Sequence, residues 1–446
     1  MKLFNTLIHK KEDFKPIILG QVKLYTCGPT VYDMVHIGNL RAYIFNDLLK
    51  RTLIANSYKV NHVMNITDVD DKTIKRAEGN SEQFKALTKD YENKFWADLN
   101  ELNILPPTTI TRATGYINQI VKFVEELLKK GFAYKTADGS IYFSIAKFQG
   151  YGKLSNLKNQ DLKPGARVEQ DEYDKENPAD FVLWKARDEK DGEIFWQSSL
   201  GKGRPGWSIE CSVMATEVLG DMIDIHTGGV DLIFPHHENE IAQSEAKTGQ
   251  KFVNYWLHNE HLLVDDRKMS KSLNNFYTLA DIKKRGFSPL DFRYFVFSAH
   301  YRSKLNFTWD GLAAAKNARE KLKRFVLTNK NEAGEICQIY TKKFMSKLND
   351  DLATPEALAI VWELIKDEKK SLGKKIATLK KFDQDILCFD LLEEDKIPAE
   401  ITKLAEERKI ARSHKDFELS DKLRQEISDK GWMVEDLENN QYKIVK

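Results

Sequence analysis

A doubly wound α/β fold is predicted by three features of the chain. The β-prone run Val22–Cys27 is broken by Gly28-Pro29, and from Ile37 the apolar residues Leu40, Ile44, Leu48 and Leu49 recur at helical spacing as far as Arg51. A second β-prone run, Lys59–Thr67, ends in the polar cluster Thr67-Asp68-Val69-Asp70-Asp71-Lys72. Strand, helix and strand with polar residues at the carboxyl ends is the pattern of a sheet that binds ligands outside those ends. The pattern returns far downstream, as a helix from Ile209 to Leu219, a strand Asp221–His226, a Gly228-Gly229 break and a helix from about His236.

The intervening elements follow in order. Lys89–Leu105 reads as a helix stopped by Pro106-Pro107. From Gly115 to about Leu200 the texture changes and reads as an insertion. It holds an amphipathic helix Ile117–Lys130, a hairpin turning at Asp138-Gly139, and an acidic, irregular run Glu169–Glu176 after the breaker Pro164-Gly165. Beyond Asp265 come a Lys/Ser-rich loop, the segment Leu290–Ser298, and a mostly helical region from Trp309 to about Phe389. A basic helical pair, Ile401–Lys430, closes at Gly431 before a β-like tail, Tyr442–Val445.

At 446 residues the chain exceeds a single core and should form roughly three to four domains. Hydrophobic residues at 41% and charged residues at 30% are ordinary for a soluble globular protein. No signal peptide is legible at the N-terminus and no run approaches the ~20 apolar residues of a membrane span, so a cytoplasmic protein is expected. Its four cysteines, Cys27, Cys211, Cys337 and Cys388, make no disulfide framework; Cys337 and Cys388 read as core residues. With a net charge of only +2, a polyanionic partner must be met by local clusters of Lys and Arg.

Three stretches carry chemistry. In Tyr25–Arg41 the order strand, loop, helix start offers backbone N–H groups and a positive dipole end to an anion, although a His-x-Gly at a helix start is also an ordinary turn. In Phe234–Glu240, His236 and Glu240 stand four residues apart on one helical face, a spacing that grips an ion or merely caps a helix. Cys27 ends a strand of one half-sheet, and Cys211 lies just before the strand that leads to His236. Convergence at the carboxyl edge would give two thiolates, one imidazole and one carboxylate, a set that suits Zn²⁺. Lys268-Met269-Ser270-Lys271-Ser272 offers cations and hydroxyls to a polyphosphate; with His36 and Gly38 it describes a phosphate clamp with one fixed and one mobile wall.

These stretches resemble the class I aminoacyl-tRNA synthetases: His36-Ile37-Gly38-Asn39 matches the HIGH signature and Lys268–Ser272 is an unaltered KMSKS. The resemblance is closest to the cysteine-specific members, through Cys27–Asp33, Thr67–Lys72, Gly203–Ser212, Gly228–Glu245 and Lys268–Phe276, and it extends to Asp350–Pro355 and Glu407–Arg412. It implies a Rossmann-like catalytic domain in two halves, 1–112 and 201–266, split by a connective insertion, 113–200. A KMSKS and stem-contact region, 267–310, a helical bundle, 311–392, and a small C-terminal anticodon-binding domain, 393–446, would follow. The implied reaction joins L-cysteine to ATP, with its Mg²⁺, as cysteinyl-adenylate, and then to the 3′ end of tRNA(Cys), in a monomer.

The resemblance also implies roles. Cys27, Cys211, His236 and Glu240 would hold a zinc ion that takes the substrate thiolate; four protein ligands already close a tetrahedron, so Glu240 is expected to be loose or the ion five-coordinate. Asp231 would receive the α-ammonium, with Trp207 and Thr67 walling the pocket. His36 and Asn39 would contact the ATP phosphates beside Thr30 and Gly38, and Lys268 and Lys271 would stabilise the departing pyrophosphate. The sequence departs from the family pattern at Asn39, at Thr227 in place of a glycine, and at Asn274 after KMSKS. Lys369, Lys370, Lys374, Lys375, Lys380 and Lys381, and then Lys403, Arg408, Lys409, Arg412, Lys415, Lys422 and Arg424, would face tRNA phosphates. Rival readings are a cysteine ligase acting on an amino-sugar, which would lack a full C-terminal end, and a non-catalytic zinc-stabilised RNA-binding protein. A zinc hydrolase is disfavoured because no HExxH string occurs.

Overall fold

Five parallel strands organise the computed structural model, which describes residues 1–156, 180–269, 275–394, 398–437 and 441–445. The expectations for Pro164-Gly165, Glu169–Glu176, Lys271 and Asn274 lie outside the described residues. The strands are β1 (Gln21–Thr26), β2 (Lys59–Ile66), β3 (Thr109–Arg112), β4 (Ile223–Gly229) and β5 (Val253–Asn259), in the spatial order β5-β4-β1-β2-β3. The carboxyl half of β2 and nearly all of β4 and β5 are buried, as strands covered on both faces must be. The chain builds β1, β2 and β3 in one direction and then returns to lay β4 on the other side of β1. The switch point between β1 and β4 is where ligands bind in such sheets. The register aligns the two ends, Thr26 standing beside Thr227 on one side and Met64 on the other.

Helix α1 (Ile37–Ala55) follows β1, α2 (Trp207–Leu219) precedes β4, and α3 (Glu238–Thr248) follows it. Some boundaries differ from expectation. The helix expected at Lys89–Leu105 spans Ser81–Glu101, because the Asn80 side chain accepts from Glu82 N–H (3.1 Å) and Gln83 N–H (2.9 Å) and starts it earlier. Gly228-Gly229 ends β4 instead of breaking the chain after it. β3 and β5 were not anticipated.

The inserted block carries a helix, Ile117–Lys129, packed on an antiparallel sheet of Ala133–Lys135, Ile141–Phe143, Phe181–Ala186, Gly201–Pro205 and Trp196–Ser198, in that spatial order. This sheet runs five residues past the boundary expected at 200. The Asp138 carboxylate closes the hairpin turn, accepting from Ser140 N (3.1 Å) and Ser140 Oγ (2.8 Å). After β5 a small sheet joins Leu262–Val264, Arg267–Lys268 and Leu305–Phe307. Helices Pro289–Phe297, Trp309–Thr328, Gln338–Leu348, Thr354–Lys366 and Leu372–Phe382 complete the first compact unit, which ends at Leu391. Arg293 ties this region to α1 through a fully buried pair with Asp47 at 2.6 Å. Cys337 and Cys388 are buried, but Cys337 precedes its helix and Cys388 sits at φ 53° after one.

The second unit, Leu392–Lys446, is the helical pair Ala399–Ser413 and Phe417–Asp429 with a hairpin of Met433–Asp436 and Tyr442–Val445. Arg408 corrects one expectation: it is buried and grips Asp436 with two bonds of 2.7 and 2.9 Å, so it holds this unit together and does not present its charge to phosphates. Among the described residues no helix is long and apolar enough to cross a membrane.

Candidate active site

Cys27 leaves the carboxyl end of β1 on a loop clamped to the end of β2. Gly28 N–H donates to Asn65 Oδ1 (2.9 Å), Thr67 N–H to the Pro29 carbonyl (3.0 Å), and Val31 N–H to the Thr67 carbonyl (3.2 Å), so Thr30 and Thr67 are neighbours. Gly28 is obligatory, because a Cβ there would lie 1.6 Å from the Asn65 carbonyl oxygen. From the other half of the chain, α2 supplies Cys211, and the turn Ile233–His237 running into α3 supplies His236 and Glu240. The potential ligand atoms of Cys27, Cys211, His236 and Glu240 all lie within 4.8 Å of one another. His236 Nε2 faces Cys211 Sγ and Glu240 Oε1, each at 3.3 Å, while its Nδ1 is held by Ser208 Oγ at 3.2 Å. Glu240 Oε2 is held by His226 Nε2 at 3.1 Å, and Oε1 is buried with no hydrogen-bond partner.

A further ring of histidines, missed from the sequence, surrounds these four. His237 Nε2 lies 3.4 Å from Cys27 Sγ; its Nδ1 meets His258 Nε2 at 2.7 Å, and His258 Nδ1 meets Thr6 Oγ1 at 2.8 Å. Cys27, His226, His237 and Glu240 form a second grouping as compact as the first. His237 was within reach, since it sits in the motif that nominated His236. His226 and His258 look like ordinary strand residues, and no spacing marks them. Gly228 makes room for this ring: a Cβ there would meet His237 Cε1 at 2.6 Å.

Electrostatics set what the cluster can hold. Burial lowers His236 to about 4 and His226 and His258 to about 3, so these imidazoles are neutral and have a lone pair to offer. Burial pushes Glu240 up to about 8, only partly opposed by His236. The hydrogen bond that its S–H donates to Cys27, together with burial, raises the Cys211 thiol; for Cys27 that shared bond pulls down, but burial and the Glu240 and Asp231 charges carry it up. Buried acids of this kind keep their protons until a cation arrives, and a divalent ion among them would offset the cost. The donors, their closeness and the orphaned Glu240 oxygen therefore fit a metal ion of zinc's character.

His36 is the N-cap of α1. Its Nδ1 accepts from Asn39 N–H and Asn39 Oδ1 accepts from His36 N–H, both at 3.2 Å. Burial lowers His36 to about 4, and accepting at Nδ1 leaves its ring proton on Nε2. The ring stands edge-on to Phe276 at 5.1 Å, and a Cβ on Gly38 would lie 3.6 Å from the Met269 methyl, so the HIGN turn lies against the start of the KMSKS segment and against a residue just after it. Lys268 is exposed on the small sheet. Asp231 is exposed at the end of β4, near enough for its charge to act on both Cys27 and His36. Trp207 is half-exposed, with its ring 4.2 Å from that of His236. Thr67 is buried, accepts from Asn65 Nδ2 (3.3 Å) and partners the Glu210 carboxyl. Thr227 is accommodated by α1, donating its hydroxyl to Asn46 Oδ1 at 2.7 Å.

Residues 13–317 match the tRNA synthetases class I (C) catalytic domain, and residues 343–389 match the DALR domain. Curated relatives are named cysteine–tRNA ligase: one from Chlamydia felis is 47% identical, covering 97% of this chain and 95% of that protein. Another, from Brachyspira hyodysenteriae, is 45% identical with 97% of each chain covered. Among solved structures, Mycobacterium tuberculosis methionyl-tRNA synthetase in complex with methionyl-adenylate superposes with a TM-score of 0.59 at 14% identity, covering 83% of this chain and 92% of that one. An Agrobacterium radiobacter LeuRS ternary complex gives 0.59 at 12% identity, with 84% of each chain covered. At such identities those two speak for the fold alone. A switch-point site beside the HIGN turn, a catalytic-domain match over most of the length, and relatives near 45% identity over 97% of the chain lead to one conclusion: the chain belongs to the cysteine–tRNA ligase family of class I aminoacyl-tRNA synthetases.

Proposed function

We propose that the chain activates L-cysteine with ATP and passes the cysteinyl group to the 3′ end of tRNA(Cys), selecting its substrate at a zinc ion held by Cys27, Cys211, His236 and Glu240. The observation that carries this reading is the convergence of those four donors at the switch point, with the capped turn His36–Asn39 on the helix that begins a few residues after Cys27. When bound, zinc supplies a soft acid that prefers sulfur to the hydroxyl of serine, a discrimination beyond the ~10²-fold available from apolar fit. Ser208 turns His236 so that Nε2 faces the other donors, and His226 holds one Glu240 oxygen so that the other is free to approach the ion.

Asp231 takes the substrate α-ammonium, and Trp207 and Thr67 wall the pocket. ATP enters with Mg²⁺. His36 donates from Nε2 to a phosphate oxygen, and Asn39, whose Oδ1 is committed to the cap, donates from Nδ2. The cysteine carboxylate oxygen bonds to the α-phosphorus while the bond to the bridging oxygen breaks, and pyrophosphate leaves with the electron pair. Lys268, with Lys271, meets the charge that grows on it. A 3′-terminal ribose hydroxyl of the tRNA then attacks the carbonyl carbon and AMP departs. Four free cysteines support a reducing, cytoplasmic setting. The amino-sugar alternative is not favoured, because relatives named cysteine–tRNA ligase align over 97% of this chain. Cysteine-dependent ATP–pyrophosphate exchange, run with serine as control and with and without a zinc chelator, followed by charging of tRNA(Cys), tests the proposal. Exchange that ignores the chelator, or that accepts serine equally, overturns it.

A further inference from the structure

Arg41 lies on α1 just beyond the His36–Asn39 cap and is 1% exposed. A guanidinium so buried is ordinarily met by a carboxylate. Here its hydrogen-bond partners are backbone carbonyls. Nη1 donates to Glu260 (2.8 Å) and His261 (2.6 Å), and Nη2 donates to Ser303 (2.6 Å), with the carbonyls of His300 (3.3 Å) and Tyr301 (3.4 Å) sharing the remaining hydrogen. These carbonyls come from two separate stretches. Glu260-His261 leads into the strand Leu262–Val264, where Leu263 pairs with Lys268, and 300–303 leads into Leu305–Phe307, the parallel neighbour of that strand. The stretches also bond to each other, Glu260 N–H to the Tyr301 carbonyl (2.8 Å) and Leu305 N–H to the His261 carbonyl (3.3 Å). Arg41 thus grips both roots of the sheet that carries Lys268. The opposite end of that region meets the same helix start, where Ile37 N–H donates to the Tyr277 carbonyl at 2.9 Å.

We infer that Arg41 is a positioning residue for adenylate formation, fixing the sheet that bears Lys268 at a set distance from the helix end that presents His36 and Asn39. The inference rests on the reading of Lys268 as a phosphate-binding cation. A planar fork can reach carbonyls from two chain segments at once, whereas an ammonium group is a point charge with fewer donors and no fixed plane. A displacement of about 1 Å far from the chemistry can cost about a hundredfold in rate.

The test uses full-length Arg41→Lys and Arg41→Met, each alone and combined with Lys268→Ala, with single-turnover adenylate formation, the KM values of pyrophosphate exchange, and metal content measured for each. Arg41→Lys is expected to slow adenylate formation on the order of 10- to 100-fold, with cysteine KM and metal content within about twofold of the parent. In that background Lys268→Ala is expected to lose most of its own effect, because the wall it belongs to is already misplaced. An unchanged rate in Arg41→Lys, losses that simply multiply, or an equal loss of cysteine affinity and metal overturns the inference. If Arg41→Met does not fold, Arg41→Lys, which keeps charge and reach, decides. A Lys268→Ala enzyme with normal adenylate formation refutes the reading of Lys268 and this inference with it; a slow Lys268→Ala enzyme with multiplying losses refutes the role of Arg41 alone.

Discussion

Gly28→Ala is expected to weaken metal binding at the site while leaving the fold in place. The added Cβ would stand 1.6 Å from the Asn65 carbonyl oxygen and 2.8 Å from its carbon. Carbon and oxygen approach to about 3.3 Å at closest, so the loop must retreat by more than about 1.5 Å, breaking the bond from Gly28 N–H to Asn65 and carrying the adjacent Cys27 with it. Metal–ligand distances tolerate about 0.2 Å, so one donor of four is lost. If a zinc site of about 10–16 kcal/mol is shared among four donors, one donor contributes about 3 kcal/mol, or roughly a hundredfold in affinity. Competition against a chromophoric chelator measures that loss. Gly115→Ala, where nothing lies within 4 Å of the new methyl, is the control, and circular dichroism reports the fold. Zinc affinity of Gly28→Ala within about threefold of the parent, or an equal loss in both variants, would refute the reasoning.

Lys271→Ala should slow adenylate formation far more than it weakens cysteine binding; equal losses in single-turnover rate and cysteine affinity would contradict the assignment. Zinc affinity should rise with pH, because Glu240, held up to about 8, and both raised thiols must release protons to bind it. Chelator competition at pH 6, 7 and 8 checks this, and a flat profile would count against it. Burial, aided by the Glu101 charge and opposed by Lys283, carries Asp98 up to about 6. A carboxyl whose folded pKa exceeds its unfolded value favours folding while protonated, so stability is lost as pH rises from about 4 through 6. Asp98→Asn should therefore stabilise on the order of 1 kcal/mol at pH 8 and not at pH 4; an equal gain in melting temperature at both would disprove it.

Much of the site was legible because its chemistry is carried by motifs, each local to one strand end or helix start. Cys27, Cys211, His236 and Glu240 were nominated by residue type together with the expectation that carboxyl ends converge, and their donors do converge. The surrounding histidines were not legible. His226 and His258 acquire their meaning from neighbours far away in sequence, His258 as far as Thr6. Arg41 was visible as the end of a motif, but its partners are carbonyls, which every residue has, so no side-chain pattern announces them. Among the elements, β3 is only four residues long, too short for alternation to register. Arg408 misled for the opposite reason: in a basic helix nothing local distinguishes the one guanidinium turned inward.

The switch point also sets an order of events at the ribosome. β1 and Cys27 emerge early, but His236 and Glu240 follow only after roughly two hundred more residues. At about 5–20 residues per second, the Cys27 thiol waits on the order of 10–40 s before its partners exist. Metal therefore cannot template the first half of the sheet. Until Glu240 emerges, a little past the middle of the chain, the apolar strands of that half have no ion to organise them, and a metal can load only from that point on.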